Sequence, residues 1–393
     1  MRLLITGARA PVALELLRAL ARAGHSVYAA DSIAPTLASG SRYLAGHLLL
    51  PAPRYDPAGF GRALLGHVER LRIERIIPTC EEVFYLAMHH AALSSQAQLF
   101  CEPLATLARW HHKGHFQQHA AALGLATPRT ALLRSRDELL AALPAFPRYL
   151  LKPAYSRFAT RIITNCGPQA GRRPLALCQP TAQQPWLLQA FIDGAGVCSY
   201  STLHGGHVTA HCAYATPATL AQGSGTAFIS LDGQPTLAAV RALGASGYTG
   251  QLSLDWIHSP SGELFLLECN PRATSGAHLI RPQALVGGLL DPAQPTWVEP
   301  ARRRRQLTLL ALPQAVVGVL RRPQCGASWR ELGAALHSPD VILRADDPLP
   351  ALAQLPQLLR FALLSRRKRI GMLAATTDDL EWNGDADLHA PES

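Results

Sequence analysis

The chain is 393 residues long, 48% hydrophobic and only 16% charged. Those totals describe a globular protein with two or three cores and exclude a disordered chain. The net charge of +10 suits anionic ligands such as nucleotides; with aromatics at 6% and no alternation of basic and aromatic residues, a nucleic-acid surface is not expected.

In chain order, Arg2–Thr6 reads as an apolar strand, Gly7–Pro11 as a turn, Val12–Ala23 as a helix ended by Gly24, and Ser26–Ala30 as a second strand finishing at Asp31. That is a βαβ unit of a parallel α/β domain, continued by a helix over Phe60–Leu71, a strand over Arg75–Pro78 and a helix from Glu82 to Ser94. The Gly7 turn with Asp31 invites a dinucleotide reading. The loop has Gly7 alone, without the Gly-x-Gly-x-x-Gly pattern, so a tight strand-to-helix turn is the better reading. The domain is placed at residues 1–105. A mixed segment follows over 106–185, then strands and hairpins over 186–300, and a helical region with a polar tail over 301–393. Gly205-Gly206 suits a hairpin turn, and His204, His207 and His211 around it are not expected to converge on a metal. The Arg302–Arg305 run reads as a solvated helix face or an interface, which leaves a homodimer open.

Eight cysteines (80, 101, 166, 178, 198, 212, 269, 325) are scattered without a Cys-x-x-Cys pair. Reduced thiols and a cytoplasmic setting are expected rather than disulfides or structural zinc. The apolar run Leu307–Leu320 contains Pro313 and Gln314 and is too short to span a membrane. The N-terminus, interrupted by Glu15, Arg18 and Arg22, does not read as a signal peptide.

Only three of the 37 basic residues are lysine. Lys113 lies just ahead of a helical run, and Lys152 closes the apolar strand Tyr149–Pro153 before a polar loop. A lysine is a compact point charge suited to phosphate oxygens. Further on, Leu252–Ile257 and Glu263–Arg272 read as a hairpin with a two-residue turn at Ser261-Gly262. That register pairs Pro260 with Glu263, His258 with Phe265, and Asp255 with Glu268. Asn270 then faces the same side as the two carboxylates. Opposed carboxylates repel and call for a cation. Oxygens of Asp255, Glu268 and Asn270 are hard ligands of the kind Mg²⁺ takes. Relief by an arginine such as Arg272 is the plainer alternative, but the lysines and Asn270 together favour a metal.

Lys113, Lys152, the strand end Leu188–Gly194, Asp255 and Glu268-Cys269-Asn270-Pro271-Arg272 resemble the ATP-grasp superfamily, in its carboxylate–amine ligase and carbamoyl-phosphate synthase-like branch, over about residues 1–290. The resemblance implies an α/β and α+β fold: an N-terminal parallel α/β domain, an ATP-grasp body whose small subdomain carries the lysines and whose large subdomain carries the metal site, and a small C-terminal region. It implies ATP and Mg²⁺, with Lys113 and Lys152 on the phosphates and residues 154–160 covering them through Ser156 and Arg157. Gln189, Phe191 and Ile192 would form the adenine hinge, with Asp255, Glu268 and Asn270 on the metal. Arg272, with Lys152, would stabilise the transferred phosphoryl group. The chain departs from the pattern at Ala159, where glycine is common, at Ala190 in place of a frequent hinge acid, and at Gly196, where many members carry a ribose acid; Asp193 is the substitute. The loop Gly223–Thr226, Arg272 and His278 would border the acid site, and Glu81 and Glu82 could meet an ammonium.

The implied reaction activates a carboxylate as an acyl phosphate, with ADP formed, for attack by an amine. The substrates would be small molecules, with no protein nucleophile needed. Carboxyphosphate chemistry, a non-catalytic nucleotide-binding protein and an NAD-dependent oxidoreductase are the alternatives.

Overall fold

The computed structural model describes residues 1–157, 161–220 and 224–384. Its first body is a parallel sheet of five strands in the order Gly46–Leu49, Ser26–Asp31, Arg2–Thr6, Arg75–Ile77 and Gln98–Leu99. Leu3, Leu4 and Ile5 are fully buried, because a parallel strand covered on both faces has no solvent side to fill with polar residues. The helix Pro11–Arg22 starts on proline and buries Val12 through Leu20. It packs between this sheet and the helix Pro282–Leu290, in one apolar cluster. The expected helix after Arg75–Ile77 is broken into Glu82–Met88 and His90–Ser94.

The turn after the first strand is a tight, packed strand-to-helix turn. Gly7 has φ +73°, and a Cβ there would lie 2.6 Å from Thr79 Oγ1. Asp31, the expected ribose acid of a dinucleotide reading, accepts from the Arg9 backbone N–H at 2.8 Å and from its guanidinium at 2.5 Å. Arg9 is held from the other side by Asp379 at 2.6 Å.

The second body is a four-stranded sheet in the order Thr130–Leu133, Trp186–Ala190, Tyr149–Pro153 and Ile163–Thr164. The third is a seven-stranded sheet. It runs Leu264–Asn270, Gly250–His258, Ala195–His204, His207–Leu220, Ser224–Leu231 and Arg304–Gln306, with Trp297–Val298 paired to His207–Leu220. One expected boundary and one expected element therefore change. Trp186–Ala190 is a central strand of the small sheet, so the division falls after 190 rather than at 186. The arginine run is a turn at Arg302 leading into an edge strand, Arg304–Gln306, in which Arg305 pairs with Phe228, and not a helix face. Its charges find Glu299 and Glu331 at 3.5 and 3.6 Å.

The Gly205-Gly206 turn forms as expected, both glycines at positive φ. His204 and His207 bind backbone carbonyls of Gly288 and Gln294, and His211 bridges Ser201 to Thr236 and Gly233. His204 and His207 are cross-strand partners, but each of the three side chains is bound to separate partners.

The last hundred residues are more than an appendage. Helices Thr308–Arg321, Gly326–His337, Leu349–Lys368 and Met372–Ala375 return the chain to the N-terminal domain. Arg18, fully buried, meets Asp347 at 2.7 Å and donates to the carbonyls of Val341, Ile342 and Asp347. Gln357 accepts from the Leu37 N–H and donates to the Arg9 carbonyl. Breaking a buried pair leaves one charge without compensation. Arg18→Met is expected to lower unfolding stability by about 3–5 kcal/mol, and the double variant with Asp347→Leu to recover only part of it, because Ser41 Oγ and the Arg42 N–H also lose their acceptor. Denaturant titration of the three proteins checks this.

Candidate active site

The hairpin Gly250–His258 and Leu264–Asn270 carries two carboxylates to one place. Asp255 pairs with Glu268, and Ser253 with Asn270. The turn end is one residue out of the expected register: His258 pairs with Leu264, not Phe265. A longer turn, closed by the Ser259 N–H to the Glu263 carbonyl at 2.9 Å, causes the slip. A bulge that leaves Leu267 unpaired, between Trp256 and Asp255 on the facing strand, cancels it. The bulge therefore returns the carboxylates to opposite positions. Leu252, Leu254, Trp256 and Cys269 are buried in the apolar cluster behind the sheet, which turns the Cys269 thiol away from the carboxylates.

Lys113 begins the helix Lys113–Ala122, capped by His112 through Nδ1 and the His115 N–H. Lys152 comes from the central pair of the small sheet, opposite Leu187. Their ammonium groups stand 3.6 and 3.7 Å from Glu268 Oε2, with side chains 5% and 8% exposed. Lys113 also donates to the Ser156 carbonyl at 2.7 Å, and its N–H to the Ala154 carbonyl at 3.2 Å. It thereby anchors the start of the covering loop. Phe158, Ala159 and Thr160 of that loop, and Gly223 of the expected anion loop, lie outside the described residues.

The electrostatics of the pair are asymmetric. Burial and the facing Glu268 push the Asp255 carboxyl above the usual carboxylate range. Burial acts on Glu268 in the same sense, but Lys113 and Lys152 outweigh it and hold Glu268 below that range. Burial lowers the Lys152 ammonium, against the opposing pull of Glu268. Asn270 Nδ2 donates to Asp255 Oδ2 at 3.1 Å, which leaves its Oδ1 as a third oxygen beside the carboxylates. Two carboxylates and an amide oxygen, facing lysines set back beyond hydrogen-bond range, form a donor set that fits a hard divalent cation and phosphate oxygens.

Beside this charged end runs a cleft of about 440 Å³ between the two antiparallel sheets. Leu150, Ile162, Phe191, Ile192, Ile257 and Leu267 form its apolar walls; Lys152, Ser156, Gln189, Asp193, Asp255 and Glu268 line its polar parts. Gln189 is tied to Thr130 Oγ1 at 3.0 Å. The N–H groups of Ala190 and Phe191 donate to the carbonyls of Arg129 and Arg148, and of the expected hinge the Ile192 N–H has no partner among the described residues. Gly167, at φ +70°, lets the chain approach Phe191; a Cβ would come within 2.7 Å of that ring. Asp193 is engaged by Arg148 in two bonds of 2.6 and 2.9 Å. A ribose could take Asp193 only in exchange for these exposed contacts.

Two expected roles change in the structure. Arg157 does not line the cleft. Its guanidinium is paired with Glu81 and, at 2.5 Å, with Glu381, and bonds Asn383 and the Trp382 carbonyl. Three donors committed to the end of the chain are not directed at phosphate. Nor are Glu81 and Glu82 open to an ammonium. Arg157 holds Glu81, whereas Glu82 is buried, its Oε1 accepting from Thr6 Oγ1 and the N–H groups of Thr79 and Cys80 and its Oε2 left without a partner among the described residues. Sequence reasoning missed Glu381 and Trp382 altogether; Trp382 stacks on Phe84 with ring centroids 4.6 Å apart. No local spacing connects these residues to Arg157, more than two hundred positions away. Arg272 leaves the hairpin beside Asn270, its Nη2 3.8 Å from Glu81, and both it and His278 border a second cavity.

No family model matches the sequence, and no curated sequence is significantly similar to it. Solved structures do resemble the fold. An ADP complex of N5-carboxyaminoimidazole synthetase from Staphylococcus aureus superimposes with a TM-score of 0.61 at 9% identity, covering 81% of this chain and 86% of that one. L-amino acid ligase from Bacillus licheniformis gives 0.57 at 16% identity, covering 75% and 76%. The biotin carboxylase domain of Hydrogenobacter thermophilus 2-oxoglutarate carboxylase, bound to MgADP, ADP and bicarbonate, gives 0.58 at 13% identity, covering 76% and 72%. The chain has the ATP-grasp fold. Among the described residues, no helix is long and apolar enough to cross a membrane.

The asymmetric pair makes a signed prediction. Asp255, raised in the folded state, opposes folding once ionised. That penalty is absent below the ordinary aspartate value of about 3.9 and grows as pH rises through the raised one. Glu268, lowered, supports folding above the ordinary glutamate value of about 4.3, and the support is lost as pH falls through its lowered value. At pH 7 Asp255→Asn is expected to raise the melting temperature of the ligand-free protein and Glu268→Gln to lower it, each by a few degrees. Calorimetric scans from pH 4 to 8 should show the Asp255→Asn gain shrinking toward the acid end.

Proposed function

We propose that the protein is an ATP- and Mg²⁺-dependent ligase that activates a carboxylate and joins it to an amine, forming an amide or peptide bond between small molecules. The observation that carries this reading is the convergence of Lys113, Lys152, Asp255, Glu268 and Asn270 at the polar end of an apolar cleft. Such a cleft suits a planar base at one end and a polyphosphate at the other. The folds it resembles include enzymes solved with ADP, MgADP or bicarbonate, and an amino acid ligase, which supports the reading.

In this proposal Lys152 and Lys113 hold phosphate oxygens, and Lys113, through the Ser156 carbonyl, also sets the covering loop. Asp255, Glu268 and Asn270 would hold Mg²⁺, which offsets charge on the phosphates when bound. Arg272 lies on the far side of Asn270, where the acid would meet the terminal phosphate. A carboxylate oxygen attacks the γ-phosphorus, the bond to the ADP oxygen breaks, and ADP leaves. The amine then attacks the acyl carbon, phosphate departs with the C–O bonding pair, and the nitrogen gives up a proton. Positioning and fixed charge carry both steps, so the protein needs no nucleophile of its own. Burial pushes the Cys269 thiol well above its ordinary value, in keeping with an inert packing role.

ADP is expected to appear only when acid, amine and Mg²⁺ are all present, and a chelator is expected to stop it. Lys152→Ala and Glu268→Gln should each lower turnover by about 10²–10³-fold, the scale of losing one preorganised charge partner. Gln189→Ala should raise the KM for ATP less than tenfold, since its side chain only braces the hinge. Equal, mild effects from all three variants would overturn this site. AMP in place of ADP would overturn the acyl-phosphate route.

A further inference from the structure

The second cavity, of about 360 Å³, lies outside the nucleotide cleft and falls within the usual small-ligand range of about 300–1,000 Å³. The C-terminal region supplies one wall, with Leu310 from the helix Thr308–Arg321, Leu358 and Phe361 from Leu349–Lys368, Leu373 from Met372–Ala375 and Leu380 beyond; the N-terminal domain, through Pro11, Val12 and Leu37, supplies the other. Its polar lining includes Arg272, Thr274 and Ser275, with Glu81 and His278 beside them and Gln354 and Gln357 from the C-terminal helix.

The state of the cations in that lining decides what the cavity would accept. Arg9 also lines it but is saturated by Asp31, Asp379 and Ser32. The Arg272 guanidinium makes one hydrogen bond among the described residues, from Nη1 to its neighbour's carbonyl at 3.2 Å, and Glu81 is 3.8 Å away. Glu81 is held mainly by Arg157, which it contacts directly, and Arg272 pairs with it only at the longer distance. Arg272 therefore has donors to spare in a fork that matches a carboxylate. It is also fixed to the nucleotide end, because its N–H donates to the Asn270 carbonyl at 2.7 Å.

We propose that this cavity is the acyl pocket, and that the activated substrate is a carboxylic acid with an apolar tail. Its carboxylate sits on Arg272, and its tail lies among Leu310, Leu358, Phe361 and Leu373. The proposal rests on the ligase reading above and assigns the C-terminal region the task of selecting the acid. A pocket of this size and lining has no use for bicarbonate, which has no tail to bury.

The test is calorimetric binding of butyrate, hexanoate and octanoate to the full chain, followed by ADP release with the same acids and a pooled set of amines. Affinity is expected to tighten about three- to fourfold per added methylene until the cavity is full. Octanamide should bind at least tenfold more weakly than octanoate, and Arg272→Gln should erase that difference. Leu358→Trp, at a half-buried position where folding is preserved, should reverse the preference between octanoate and butyrate. Comparing phenylalanine with 3-phenylpropanoate then distinguishes an amino acid from a simple acid, either of which fits the pocket. Binding that ignores chain length, or a Leu358→Trp protein with unchanged preference, overturns the pocket while leaving the ligase reading intact if another acid yields ADP. Length-dependent binding with no ADP from any acid and amine overturns the ligase reading, and the acyl role with it.

Discussion

Two carboxylates facing each other across neighbouring strands are a standing repulsion, and the structure around the site is arranged to manage it. Asp255 and Glu268 are locked opposite one another by the backbone ladder, so neither can move off without breaking the sheet. The bulge at Leu267, just before the carboxylates, restores their alignment. Lys113 and Lys152 arrive from two different bodies, a helix and the small sheet, to balance Glu268. Asp255 is left under strain in the ligand-free protein, its carboxyl raised by burial and by its neighbour. Electrostatic strain that a bound cation would relieve is a common device of functional sites.

A second electrostatic chain runs at right angles to the first in its logic. Arg157 joins the covering loop to Glu81 at the end of the N-terminal sheet and to Glu381 near the chain's end. Trp382, in the same segment, stacks on Phe84 of the N-terminal domain. Arg9 likewise bridges Asp31 and Asp379. The terminal helices are thus tied by charge to the two loops that border the proposed reaction centre, and between those ties they leave an apolar cavity. A region with no recognisable pattern in sequence becomes, in three dimensions, one wall of the proposed substrate site.

The parts of the site that were legible in sequence share one property: they are local or periodic. The opposition of Asp255 to Glu268 follows from strand alternation about a turn, and it survived an error in the turn itself because the bulge compensated. The buried strand Arg2–Thr6 and the helix after it were legible from apolar periodicity. The scarcity of lysine singled out Lys113 and Lys152 before any geometry was known. The errors are of the opposite kind. Assigning Arg157 to phosphate, Glu81 to an ammonium and the arginine run to a helix each required knowing what lies across the molecule. Trp186–Ala190 looked like the start of the large sheet because a strand's composition says that it will pair, not with which partner.

The sequence by itself determined the parallel α/β start, the metal-suited hairpin and the residue types that could meet a nucleotide, because alternation, helical periodicity and residue chemistry act over a few neighbours. Only the tertiary structure decided which charges are spent on one another and which remain for a ligand. Arg157 and Arg272 are equivalent as letters. One is consumed by Glu81 and Glu381, the other keeps donors beside an apolar cavity, and that difference arises from contacts between segments far apart in sequence, 76 residues for Arg157 with Glu81 and more than two hundred for Arg157 with the segment 381–383.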